Sequence, residues 1–182
     1  ASGGFPGSVG TIRIRDGILS IGDFSSVYNV LSTHTPSAAG ITDEEKELFG
    51  SWMNAPRDAC FDPAFERVAY MWALAYEQKN FEHVNGVVSL TPAIIQNMLG
   101  YIGNVTLSDG TELTGDNATQ VLQYDLYYKY LNANASSSAG DYVDNLFAET
   151  AKVTMAKLVS DFDVKKAGDY YKVFSDGAKN RT

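Results

Sequence analysis

Residues 84–107 read VNGVVSLTPAIIQNMLGYIGNVTL, and the fold class turns on how this run is parsed. Val87, Val88 and Leu90 make a short β-prone stretch. Thr91 is a good N-cap, and Pro92 falls at the first helical position, where a missing N–H costs nothing. Ile94, Ile95, Met98 and Leu99 then recur at helical spacing, and Gly100 and Gly103 close the segment. With Val105 opening another extended run, the order is strand, turn, helix, strand. That pattern predicts an α/β domain: a mixed central sheet flanked by helices.

Upstream of this unit, Ile12 and Ile14 alternate with Arg13 and Arg15, and apolar residues resume at Ile18, Leu19 and Ile21 after Asp16-Gly17. Period-two alternation around Asp-Gly predicts a β-hairpin. Thr42 with Glu45 three residues on is a capping box ahead of a short helix. Asp62-Pro63 opens a longer helix in which Phe65, Val68, Ala69, Trp72 and Tyr76 share a face. Downstream, residues 105–113 predict a second small hairpin, and Thr114 caps a helix from about Asp116 to Leu131. A polar break at Ser136 to Ser138 precedes an amphipathic helix carrying Val143, Leu146, Phe147, Thr150, Thr154 and Leu158. A helical tail runs from Val164 to Phe174. The 182 residues fit one domain spanning 1–182, with no internal repeat.

Composition excludes several classes. Hydrophobic residues make up 45% of the chain and aromatics 12%, enough for a real core, so disorder is not a reading. A net charge of −8 argues against nucleic acid or an anionic membrane as partner, because both require clustered Lys and Arg. No apolar run approaches the roughly 20 residues of a membrane span. Cys60 is the single cysteine, so an internal disulfide and Cys-rich zinc sites are ruled out. His34 and His83 do not stand at metal-ligand spacing.

Two groups of residues carry candidate chemistry. Arg13 and Arg15 share a face of the first hairpin, with Arg57 and Arg67 near the following helix. Converging arginines suit a phosphate or pyrophosphate through bidentate hydrogen bonds; solvated strand and helix faces are the plainer account. Asp125 has Tyr128 and Lys129 as helical neighbours. With Tyr124 and Tyr128 it offers a carboxylate beside aromatic rings, suited to a sugar hydroxyl or to general-base work. The plainer account is a carboxylate hydrogen-bonded to the tyrosine hydroxyl or paired with the lysine.

Taken in order, three stretches resemble an extracytoplasmic family of Gram-positive bacteria, the domain of unknown function numbered 4012. They are GGFPGSVGTIRIRDGILSI, DPAFERVAYMWA and VNGVVSLTPAIIQNMLGYIGNVTLSDGTELTGDNATQVLQYDLYYKYL. The chain keeps Gly86, Pro92, Gly103, Asp109, Gly110, Leu113, Thr114, Asn117, Asp125 and Tyr127 of that pattern. It departs at Asn85 and Thr91, where Asp is usual, and at Asn104, where Pro is usual. More distantly the order is similar to the LytR-CpsA-Psr domain, whose members transfer lipid-linked glycopolymers to the cell wall; Leu113, Gly115 and Ala118 match its pattern. The arginines of that family's pyrophosphate motif have no counterpart in QYDLYYKY or VDNLFAETAK.

The resemblance implies a LytR-CpsA-Psr-like α/β/α fold lacking a strand at each end, on the outer face of a Gram-positive membrane and anchored by a segment outside this chain. The expected function is non-catalytic binding of envelope glycan, lipid-linked precursor or a protein partner. The alternatives are a phosphotransferase, which would need a divalent cation such as Mg²⁺, and a structural spacer. The expected ligand-binding residues are Arg13, Arg15, Arg57, Tyr124, Asp125 and Tyr128. Neither a metal site nor another cofactor is expected in the binding reading.

Overall fold

A computed structural model describes residues 6–34, 39–131 and 138–180. It is a mixed α/β structure, 60% helical, with small antiparallel sheets. Strands β1 (Ser8–Val9) and β4 (Ser25–Ser26) pair around a hairpin of β2 (Ile12–Arg15) and β3 (Ile18–Ile21). In that hairpin Ile12 faces Ile21, Arg13 faces Ser20, Ile14 faces Leu19 and Arg15 faces Ile18. The turn works because Asp16 (φ 54°) and Gly17 (φ 78°) both take left-handed backbone, as a two-residue hairpin turn of this twist requires. The Asp-Gly reading therefore holds to the residue.

Helices α1 (Val27–Val30), α2 (Asp43–Phe49) and α3 (Phe65–Asn80) follow. The capping box forms as predicted: Glu45 N donates to Thr42 Oγ1 at 3.1 Å, and Thr42 N donates to the Glu45 carboxylate at 2.8 Å. Between α2 and α3 lie two short 3₁₀ turns, Ser51–Asn54 and Asp58–Phe61. Asp62 accepts from Ala64 N at 2.7 Å and so caps the approach to α3. On α3 the buried residues are Val68, Met71, Ala75 and Tyr76. Val68 and Met71 pack with Ala39, Met53 and Ala59.

Residues 84–90 correct the sequence reading. No strand forms there, although Val87 and Val88 are β-prone residues. A strand exists only through a hydrogen-bonded neighbour, and no described segment offers one to Val87 or Val88. Val88 is left 72% exposed, and Leu90 packs against the helix that follows. The expected central sheet is accordingly absent among the described residues. In its place stand three separate two-stranded ribbons.

The helix itself, α4 (Pro92–Ile102), is as read: Ile94 N donates to the Thr91 hydroxyl at 3.3 Å, and Pro92 opens the first turn. It is buried on two sides. Ile95, Leu99 and Ile102 enter a core with Leu107, Leu113, Leu122, Leu126 and Leu146. Ile94 and Met98 enter another with Met155 and Val173. Each such side chain contributes roughly 1.5–3 kcal/mol on leaving water, so α4 is the element this half of the chain condenses on. The predicted second hairpin is present as β5 (Val105–Thr106) and β6 (Glu112–Leu113). Then come α5 (Ala118–Gln120), a π-helical turn at Val121–Asp125, α6 (Leu126–Leu131), α7 (Ser138–Ser160) and α8 (Ala167–Asn180). The polar break at 136–138 lies outside the described residues except Ser138, which starts α7. The tail helix continues past Phe174 to Asn180.

Contacts divide the chain into two compact units. One takes residues 6–7 and Val27–Ser89. The other takes Ser8–Ser26 and 90–180, so the N-terminal hairpin belongs with the C-terminal helices. Lys152 Nζ accordingly meets Asp23 at 2.6 Å across 129 positions. Within this second unit an added Cβ on Gly115 would sit 2.7 Å from Gly100 Cα, so the pair lets the loop before α5 close onto α4.

Candidate functional site

Residues 118–131 form one continuous helical run with an interruption in its hydrogen bonding. Its start is held by reciprocal bonds. Asp116 N and Asn117 N donate to Thr114 Oγ1 at 3.1 and 3.2 Å, and Thr114 N donates to Asn117 Oδ1 at 2.7 Å. Thr119 N donates to Gln96 Oε1 of α4 at 2.8 Å. Val121, Leu122 and Leu126 point into the core, which turns Tyr124, Asp125 and Tyr128 outward.

On that outer face the rings of Tyr124 and Tyr128 stack, with centroids 6.0 Å apart and planes 13° from parallel. Both are solvent-facing, 57% and 63% exposed. The π turn covers Val121–Asp125 and widens the helix by a residue there. It brings positions five apart onto one side, and Gln120 Nε2 donates to Asp125 Oδ1 at 3.2 Å. The partner read from the sequence for Asp125 was Tyr128 or Lys129. Gln120 takes that place, because the π turn changes the period and Lys129 is engaged elsewhere.

Lys129 Nζ lies 3.1 Å from Asp109 Oδ2, in the turn between β5 and β6. The same oxygen accepts from the Tyr130 hydroxyl at 2.5 Å and the Thr111 hydroxyl at 2.9 Å, while Thr111 N donates to Oδ1 at 2.9 Å. The Asp109 side chain is 5% exposed. Burial alone would raise its pKa. The bonds from Tyr130, Thr111 and Lys129 outweigh burial and hold the carboxyl well below the usual range. In turn, burial and the Asp109 carboxylate push the Tyr130 hydroxyl up. On the other side of the turn, Ser108 N and Oγ each donate to Glu149 of α7 at 2.7 Å. Two carboxylates thus clamp this turn to α6 and α7. Sequence reasoning placed Asp109 in a hairpin turn and missed its partners about twenty positions away.

The arginines fall apart into separate settings. Arg13 and Arg15 share a face of the β2–β3 hairpin, as read, and are exposed; Arg13 Nη1 donates to Thr11 Oγ1 at 3.1 Å. Arg57 belongs to the other unit. It donates to the Tyr28 hydroxyl, lies 5.4 Å from that ring's centroid, and has Nε 3.4 Å from Asp58 Oδ1. A small cavity of about 110 Å³ adjoins it, lined by Val27, Tyr28, Leu31 and Pro56 among others. Arg67 is structural: its Nε and Nη2 grip both Glu45 oxygens at 2.6 and 2.9 Å, and Nη1 donates to Ala39 O at 2.7 Å.

Other reactive side chains are engaged. Cys60 Sγ donates to Arg57 O at 3.0 Å, and burial raises its thiol pKa, away from thiolate reactivity. His83 Nδ1 lies 2.6 Å from Glu77 Oε1. Among the described residues no group of three or more His, Cys, Asp or Glu side chains is arranged to hold a metal ion, and no helix is long and apolar enough to cross a membrane.

The family model described as Protein of unknown function (DUF4012) matches residues 1–127, more than half of the chain. The chain belongs to this family. The match takes in α4, the β5–β6 turn with Asp109, and the helical run as far as Tyr124, Asp125 and Tyr127. Tyr128, Lys129 and Tyr130 lie just beyond it, so the aromatic stack joins a residue inside the DUF4012 match to one outside, and the clamp joins Asp109 and Thr111 inside it to Lys129 and Tyr130 outside. No curated protein and no solved structure matches the chain.

Proposed function

We propose that this DUF4012 domain is a non-catalytic, extracytoplasmic module that binds envelope glycan on the outer surface of the helical run 118–131. The observation that carries the reading is the near-parallel Tyr124–Tyr128 stack, held out to solvent beside a carboxylate and an amide that already hydrogen-bond to each other. Sugars present apolar C–H faces that pack on aromatic rings, and hydroxyls that bond to carboxylates and amides. Tyrosine supplies such contact area at low conformational cost, with two side-chain torsions to fix. A helix braced at its start by Thr114, Asn117 and Gln96 gives those rings a rigid base. The extracytoplasmic setting, at a Gram-positive envelope and anchored by a segment outside this chain, rests on the family resemblance.

The transferase reading draws less support. Pyrophosphate transfer of the LytR-CpsA-Psr kind calls for converging guanidinium groups, whereas that family's motif arginines have no counterpart here, Arg13 and Arg15 lie on an exposed ribbon, and Arg57 already bonds to Tyr28 and Asp58.

The test is an NMR titration of the ¹⁵N-labelled chain with oligosaccharides of bacterial cell wall. Shifts should concentrate at residues 120–128, and replacing Tyr124 and Tyr128 together by alanine should weaken binding at least about tenfold, the loss of roughly 1.4 kcal/mol from two rings. Binding unchanged in that double variant would overturn the proposal. A parallel thermal-shift arm with a polyprenyl pyrophosphate analogue and Mg²⁺ tests the transferase: a Mg²⁺-dependent rise abolished by Arg57→Ala would favour it.

A further inference from the structure

We infer that the ligand class of the Tyr124–Tyr128 surface is glycan with free, protonated amino groups, in preference to N-acetylated or anionic saccharide; the inference rests on the glycan-binding reading above. Asp125 is the charged group on this surface. Its hydrogen-bond donor is Gln120, a neutral amide, which positions the carboxylate without neutralising it. Lys129 stands four residues on, at the helical spacing suited to an ion pair with Asp125, but its ammonium is committed to Asp109 at 3.1 Å. Elsewhere in this unit Asp23, Asp109 and Asp161 each meet a lysine within 3.1 Å. Asp125 keeps its negative charge facing water, one residue after Tyr124 and three before Tyr128.

A tyrosine face is the negative end of a ring quadrupole, so it attracts cations and repels anions. The stack and the carboxylate therefore select the same kind of group. An ammonium on a sugar stacked against the rings reaches both, whereas an acetamido group offers no charge to either. A phosphate-rich polymer meets repulsion from Asp125, from the ring faces and from the chain's net charge of −8. The π turn is what makes the arrangement possible, since it bonds Asp125 to Gln120 five residues back rather than leaving it to swing toward Lys129.

The experiment compares three probes on the intact chain by NMR titration at low salt: a glucosamine hexasaccharide, its fully N-acetylated counterpart, and a glycerol-phosphate oligomer. The glucosamine oligomer should bind about fivefold more tightly than the acetylated one, an exposed ion pair and cation–π contact together being of that order. That preference should fall toward one in about 0.5 M salt, where exposed charges are screened. It should also collapse in Asp125→Asn, an isosteric change that keeps an acceptor for Gln120 and so leaves the helix in place. A wild-type ratio of one or below, a ratio that survives Asp125→Asn, or tightest binding of the glycerol-phosphate oligomer overturns the inference. Equal binding of the two amino-sugar probes overturns it alone and leaves glycan binding standing, whereas no binding of any probe overturns both.

Discussion

Replacing Asp109 by asparagine is the sharpest test of how the turn between β5 and β6 is held. The carboxylate, on a side chain only 5% exposed, accepts four hydrogen bonds, three at Oδ2 and one at Oδ1. Asparagine has a single acceptor oxygen. If that oxygen takes the Oδ2 position, the amide N–H₂ confronts the Thr111 N–H; if it takes Oδ1, the amide confronts Tyr130, Lys129 and the Thr111 hydroxyl. Either way a donor loses its acceptor, at about 1–3 kcal/mol, and the surviving bonds lose their charge assistance. The Lys129 pair contributes little to the sum, because that ammonium is half exposed and screened by water. A loss of about 3 kcal/mol follows, or roughly 6–12 °C in melting temperature for a chain of this size.

The pH dependence carries a sign. The folded carboxyl is held below its unfolded pKa, so its contribution is complete above about pH 4 and drains away as pH falls toward the folded value. The gap between wild type and Asp109→Asn, measured by urea denaturation, should therefore be widest near neutrality and narrow from about pH 4 downward. A gap under about 0.5 kcal/mol, or one that stays constant with pH, would show that the ionised carboxylate does not hold this turn.

Two further changes probe the frame around the site. Gly115→Ala should cost about 1–3 kcal/mol, because the new methyl meets the Gly100 backbone, which has no side chain to move aside; chemical denaturation checks it. Arg67→Lys should cost about 1–2 kcal/mol in thermal melts, since a lysine cannot grip both Glu45 oxygens and the Ala39 carbonyl at once.

What was legible in the sequence is what is settled within a few residues. Asp16-Gly17 forces a two-residue turn, Thr42 and Glu45 satisfy each other's backbone donors, and Thr91-Pro92 opens α4; none of these depends on a distant partner. The strand expected at Val87–Leu90 failed for the complementary reason. β-propensity records how well a residue suits a paired strand, and pairing depends on a neighbour that no local signal reveals. Asp109 shows the same limit within the site. An Asp before Gly reads as turn chemistry, and it serves as that by capping Thr111. Its second role, gathering Lys129 and Tyr130, arises only once β5–β6 folds against α6.

The candidate surface was legible in its residues and not in its geometry. Tyr124 and Tyr128 are four apart, and the helical period alone puts their rings together. The same period, applied to Asp125, assigns it to Lys129. Two departures undo that assignment, and they act together. The π turn moves Asp125 into register with Gln120, and the buried Asp109 takes the lysine because a desolvated carboxylate gains more from a cation than an exposed one does. The clamp that stabilises the turn thus strips the outer face of its counter-ion. Stability at Asp109 and charge at Asp125 are in this sense one arrangement: in Asp109→Asn, where the new side chain turns its amide rather than its oxygen toward Lys129, the ammonium is released to Asp125, and the preference of that face for the glucosamine oligomer should fall along with the stability of the fold.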